Sequence, residues 1–179
     1  MGDQPDTQRQ IGDLVRLATV ASVDHGAATC RVRVGDILTG DLPWLTLRAG
    51  ATRHWSPPSV GEQVVLLCPE SDTAAGIVLP GIYSDANAAP SADEHATVVT
   101  YADGAVLTYD ASAHALTATL PAGGTATIEA SGGITLRADV TIEGRLTVRD
   151  DVTGSGVSLK NHVHDHVQAG GAVSGKPVA

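Results

Sequence analysis

Ile134, Val140, Leu146 and Val152 stand six residues apart. Each of the first three is followed by a threonine and then by a second apolar residue, Leu136, Ile142 or Val148. Side chains alternate between the two faces of an extended strand, so this register sends the apolar residues to one side and Thr, Arg and Glu to the other. A period near six with that alternation belongs to β-helical solenoids. The period is short-lived, holding only across 127–152. A left-handed hexapeptide helix built from one chain needs three such units per coil, so this stretch makes roughly one and a half coils. That cannot bury a core. Three chains wound about a common axis remove the difficulty, since each then supplies one face of every coil. The pattern therefore predicts an intertwined homotrimer, narrowing as its strands shorten toward the C-terminus.

Composition supports thin layers over a thick core. Phe is absent, aromatic residues make up 3%, and Met occurs once among 179 residues. Small and β-branched side chains pack well on pleated surfaces, which favours sandwiches, barrels and β-helices. The formal net charge is −9 and Lys160 and Lys176 are the only lysines. Without a basic stripe to release counterions from phosphates, nucleic acid is excluded as a partner. Cys30 and Cys68 belong to no CxxC pair and sit in apolar runs, which reads as two buried thiols of a protein made in a reducing cytosol. The opening residues are polar and carry no signal-peptide pattern, and no run reaches the roughly 20 apolar residues of a membrane-spanning helix.

The expected class is all-β. Residues 1–12 read as a flexible arm. Strands are expected at Leu14–Val23 and Ala28–Val34, joined by the turn Asp24-His25-Gly26, then at Ile37–Leu47, Gln63–Pro69 and Ala75–Tyr83. A Pro-, Ser- and Gly-rich loop, Arg48–Gly61, separates the third from the fourth. Five strands without a long helix predict an OB-type barrel over 13–84, with room for one short helix. Small and acidic residues over 85–96 read as a linker. Alternation then resumes with Leu116, Ala118 and Leu120 against Thr117 and Thr119, so the trimeric β-helix is placed at 97–160 and a C-terminal apex at 161–179.

His162, His164 and His166 alternate within that apex. In an extended strand their imidazoles share one face at about 6.6–6.8 Å intervals. Neutral imidazole is the commonest protein ligand for transition metals. Two imidazoles from each of three chains make six nitrogen ligands, an octahedral set that suits iron or nickel and leaves no position open for water. Such an ion is structural, clamping strand ends together. Both His162/His164 and His164/His166 satisfy the spacing. The bland reading is a solvated strand end. His25, His54, His95 and His114 read as ordinary surface or satisfied residues. A histidine-triad hydrolase fits poorly, because Asp165 occupies a position that pattern fills with a hydrophobic residue and no phosphate-binding Gly loop precedes it. No GxSxG elbow is present either, and Asp150-Asp151 reads as a solvated turn. A trimeric hexapeptide-type acyltransferase is the alternative function. It would require many more coils and a histidine midway along them.

The order of barrel, small-residue linker, tapering solenoid and then SLKNHVHDHVQAGGAVSGKP resembles the baseplate assembly protein V family, the central spike proteins of contractile-tailed phages. Related bacteriocin and secretion-system spikes share the plan. The resemblance implies an N-terminal OB domain attached to the tail hub and a trimeric β-helical needle. It further implies one iron ion per trimer at the apex, held by His-x-His from three chains. Matched to that motif, His162 and His164 are the ligand pair and His166 is an additional histidine, the alternative ligand in a shifted register. The implied function is mechanical and non-enzymatic: sheath contraction drives the needle through the host outer membrane. The implied setting is the virion, at the baseplate tip, after synthesis in the bacterial cytoplasm.

Overall fold

A computed structural model describes residues 12–166 and residue 170. The arm expected at 1–12 lies almost wholly outside the described residues, as do residues 167–169 and 171–179 of the expected apex. The chain divides into two units after Ala126.

The first unit begins with a barrel built by alternation. β1 (Val15–Asp24) pairs antiparallel with both β2 (Thr29–Val34) and β5 (Gln63–Leu67), and β5 pairs with β6 (Ile77–Ile82). On the other side of β2 lie two short strands, β3 (Ile37–Leu38) and β4 (Leu42–Pro43). Trp44, just past β4, forms a parallel bridge to Val78 of β6, and the Leu45 amide donates to the Val78 carbonyl at 2.7 Å. That contact closes the sheet on itself. The inward positions are Ala18, Val20, Cys30, Val32, Leu42, Val64, Leu66, Cys68 and Val78, all nearly solvent-free. A core without large rings is narrow, as the composition requires.

The expected third strand, Ile37–Leu47, is interrupted. Arg33 faces Leu38 and Cys30 faces Leu42, so β2 advances three residues while the opposing segment advances four. The extra residue is a bulge centred on Thr39. Thr39 is buried, and its hydroxyl accepts from the Val32 amide at 3.0 Å while donating to the Gly40 carbonyl at 3.0 Å. A side chain thus satisfies a ladder amide that a regular strand would have paired with backbone. Arg31 clasps Asp41 across the break through two nitrogens, at 2.7 and 3.2 Å. The short helix allowed for is a pair of 3-10 turns, Pro69–Ser71 and Thr73–Ala75, the second capped by the Asp72 carboxylate on the Ala74 amide. Gly76 then brings the backbone against Leu66 and Leu42 too closely for a side chain.

The linker ends earlier than expected, since β7 spans Ala96–Thr100. β7, β8 (Val106–Asp110) and β9 (Ala115–Thr119) form an antiparallel meander. The winding expected from residue 97 therefore does not start there. Two tight reversals are the reason. Gly104 has φ +88° and the Asp103 carboxylate caps the Ala105 amide. In the second, the Asp110 carboxylate accepts from the amides of Ser112 and Ala113, and His114 takes φ +52°. Strands folded back so sharply pair with their own neighbours. One face of the meander carries Val99, Leu107, Tyr109 and Leu116, all exposed in the single chain.

In the second unit, residues 127–150 belong to no strand and pair with none among the described residues. The backbone bends at Ser131–Gly132, Ala138, Glu143–Gly144, Arg149–Asp150 and Ser155–Gly156. Those bends recur every six residues, in step with the apolar period. Ile134, Val140, Leu146 and Val152 follow them and are exposed in the single chain. β10 (Thr153–Gly154) and β11 (Val157–Ser158) then make a minimal hairpin. Its central residues Ser155 and Gly156 both have positive φ, +50° and +84°, the twist that a two-residue hairpin needs.

Candidate metal site at the histidine row

The hairpin fixes where the histidine row begins. Asp151 precedes it, and one carboxylate oxygen accepts from the Val152 amide at 2.8 Å and from the Lys160 amide at 3.0 Å. The Leu159 amide donates to the Val152 carbonyl at 2.8 Å. Residues 151 and 160 are thereby tied together across the loop. The hydrogen bond from the Ser158 side chain, followed by those from the backbone amides, holds the Asp151 carboxyl below the ordinary range. Asp151 is thus a staple at the foot of the row, not merely a solvated turn residue. Sequence carried a weak sign of this: an Asp placed just before a Gly-Ser-Gly reversal is well set to cap it.

Ser158 organises the next turn. Its hydroxyl accepts from the Asn161 amide at 2.9 Å, and its carbonyl accepts from the His162 amide at 3.1 Å. Nδ1 of His162 lies 3.2 Å from the Ser158 carbonyl oxygen and 3.0 Å from that of Leu159. A carbonyl oxygen can only accept, so this geometry assigns the proton to Nδ1 and leaves the lone pair on Nε2. The same backbone anchoring orients metal-binding imidazoles in general.

His162 and His164 stand together, with ring centroids 4.9 Å apart in an edge-to-face arrangement at 83°. His166 has φ +60°, so the extended alternation of the row does not continue through it. All three are exposed. Among the described residues of one chain, no group of three or more His, Cys, Asp or Glu is placed to hold an ion. The two adjacent imidazoles, one with its tautomer set by backbone, are suitable donors for a borderline transition metal.

Against known proteins, residues 16–83 match the family model described as the type VI secretion system/phage-baseplate injector OB domain. That span coincides with the barrel from β1 to just past β6. The whole chain is also similar to the spike protein of Escherichia phage P2, at 33% identity across 95% of each chain. The chain belongs to the phage baseplate spike family. Members of this family are structural, and the chain is not an enzyme. The acyltransferase alternative is set aside on that ground. The carbonyl-anchored histidine and the hairpin staple thus lie within a spike-family chain, close to its C-terminus.

Proposed function

We propose that the chain is the membrane-piercing needle of a contractile phage tail, or of a related contractile injection machine, acting as a homotrimer with a metal-pinned tip. Baseplate partners and a place in the virion follow from the spike family. One observation carries the trimer: the apolar residues of 127–152 recur with the backbone bends and stay exposed in one chain. Exposed apolar rows beside unpaired strand edges are strongly unfavourable in water. Three copies wound together pair those edges and turn the row inward, which makes a β-helix over residues from about 121 to 160. The apolar face of the β7–β9 meander has the same need and the same remedy.

At the tip, three copies bring six imidazoles from His162 and His164 around one axis. An iron ion held there supplies a closed, structural crosslink and no reaction. Asp151 and Ser158 keep each chain's row in place, and the Nδ1–H of His162 directs Nε2 outward from its own backbone. His166 stands outside this pair. Thr, Arg and Glu cover the shaft, so it offers little apolar surface to lipid as sheath contraction drives it through the host outer membrane.

Light scattering coupled to size exclusion, with metal analysis of the same peak, tests this reading. A trimer with one iron per three chains is expected. His162→Ala and His164→Ala should each lose the metal, while His166→Ala keeps it. A monomer, or one metal per chain, would overturn the proposal.

A further inference from the structure

Beside the barrel closure lies a cleft of about 420 Å³ that neither the needle nor its tip uses. It forms because the segment after Trp44 leaves the sheet and returns on itself. The Thr46 hydroxyl donates to the His54 carbonyl at 2.9 Å, the His54 amide donates to the Arg48 carbonyl at 3.0 Å, and Ala49 bridges Arg53. This excursion carries Trp55 back to Trp44, with ring centroids 5.6 Å apart and planes at 58°. Trp44 is packed on the core, whereas Trp55 is 59% exposed. The cleft is therefore a rigid aromatic wall with one ring still facing water.

Its charge is opposite to that of the chain. The sequence has 20 acidic residues against 11 Lys and Arg. Arg48, Arg53 and His54 nonetheless line this cleft, together with Trp44, Trp55 and Thr46, and no carboxylate does. Among the described residues neither guanidinium is paired with a carboxylate, while Arg16 and Arg31 each are. Tryptophan and arginine are the residues most enriched where a few side chains dominate a protein interface. Unpaired cations next to an aromatic wall select a partner that brings negative charge and an apolar anchor.

We infer that this cleft is the docking site for an acidic segment of another baseplate subunit, with an apolar side chain seated on Trp44 and Trp55 and carboxylates on Arg48 and Arg53. The inference rests on the spike reading and adds to it the surface and the chemistry of the attachment.

Both tryptophans of the chain line this cleft, so indole emission reports on it alone. The full-length protein is titrated with each purified baseplate subunit of its own tail, with complex formation followed in parallel by size exclusion. The expected result is a saturable emission shift with one subunit, weakened by salt. Arg48→Glu/Arg53→Glu should weaken that complex on the order of 100-fold, while Arg33→Glu, at an exposed position of β2, leaves it intact. A photo-crosslinking residue at exposed Leu47 should capture an Asp/Glu-rich segment of that subunit. A complex that forms without an emission shift, or that tolerates the double reversal, overturns the inference while leaving the spike reading standing. So does capture of a basic segment or of a second copy of this chain. Failure of every baseplate subunit to bind would instead refute the spike reading itself.

Discussion

Replacing Leu146 with serine separates a chain that works alone from one that works in threes. In the single chain Leu146 is 63% exposed, and substitution of so exposed a residue is ordinarily worth no more than about 0.5 kcal/mol. Wound into a trimer, that exposed fraction is covered by neighbouring copies. Full burial of a leucine contributes about 1.5–3 kcal/mol, so covering the remaining 63% contributes about 1–2 kcal/mol per chain. Because every change occurs three times around the axis, Leu146→Ser should destabilise the assembly by about 3–6 kcal/mol. Thr147→Ser, one residue on and facing the opposite way, is the control. Thermal unfolding over a range of protein concentrations is the assay, because only an oligomer's midpoint depends on concentration. A midpoint for Leu146→Ser that matches the control, or one independent of concentration for all three proteins, would show that no other copy covers this face.

Three further outcomes are expected. Thr39→Val removes the acceptor of the buried Val32 amide and should cost about 1–3 kcal/mol in urea unfolding of the barrel, with the slope unchanged. Gly76→Ala would place its Cβ 2.7 Å from a Leu66 methyl in the filled core; a loss of about 1–3 kcal/mol is expected, and an unchanged midpoint would mean the core yields there. The Asp151 carboxyl is held below its ordinary value, so its hydrogen bonds contribute fully above the ordinary carboxylate range and are lost as pH falls through the lowered folded value. Amide exchange at Lys160 should therefore accelerate selectively in acid, and Asp151→Asn should remove most of that pH dependence.

The barrel was legible because alternation along β1, β2 and β5 depends only on neighbours in sequence. The break in its third strand was not. The bulge at Thr39 exists because a hydroxyl there meets the amide of Val32, and nothing within Ile37–Leu47 reports on that partner. Alternation alone also cannot separate a meander from a coil, so residues 97–119 read the same as the stretch after them. What distinguishes them is the turn chemistry of Asp103-Gly104 and Asp110, together with the six-residue period that begins only later. At the histidine row, spacing showed three alternating imidazoles and left two pairs open, His162/His164 and His164/His166. The positive φ of His166 and the carbonyl anchoring of His162 arise from the hairpin before them, through Ser158. The Trp44–Trp55 cleft was hidden for a similar reason: its two walls meet only when Thr46 and His54 close the excursion.

The two core thiols bear on what happens to such a particle between hosts. Cys30 and Cys68 are unpaired and sealed among the barrel strands, and burial raises the pKa of each. Glu62 pushes Cys30 further in the same direction, and Arg16 offsets part of the rise at Cys68. Thiolate is the species that exchanges with disulfides and meets oxidants, so both sulfurs are poor reactants at neutral pH. A protein assembled under reducing conditions can then pass into aerated medium without changing its covalent state. Oxidation of either sulfur then waits on opening of the barrel around it.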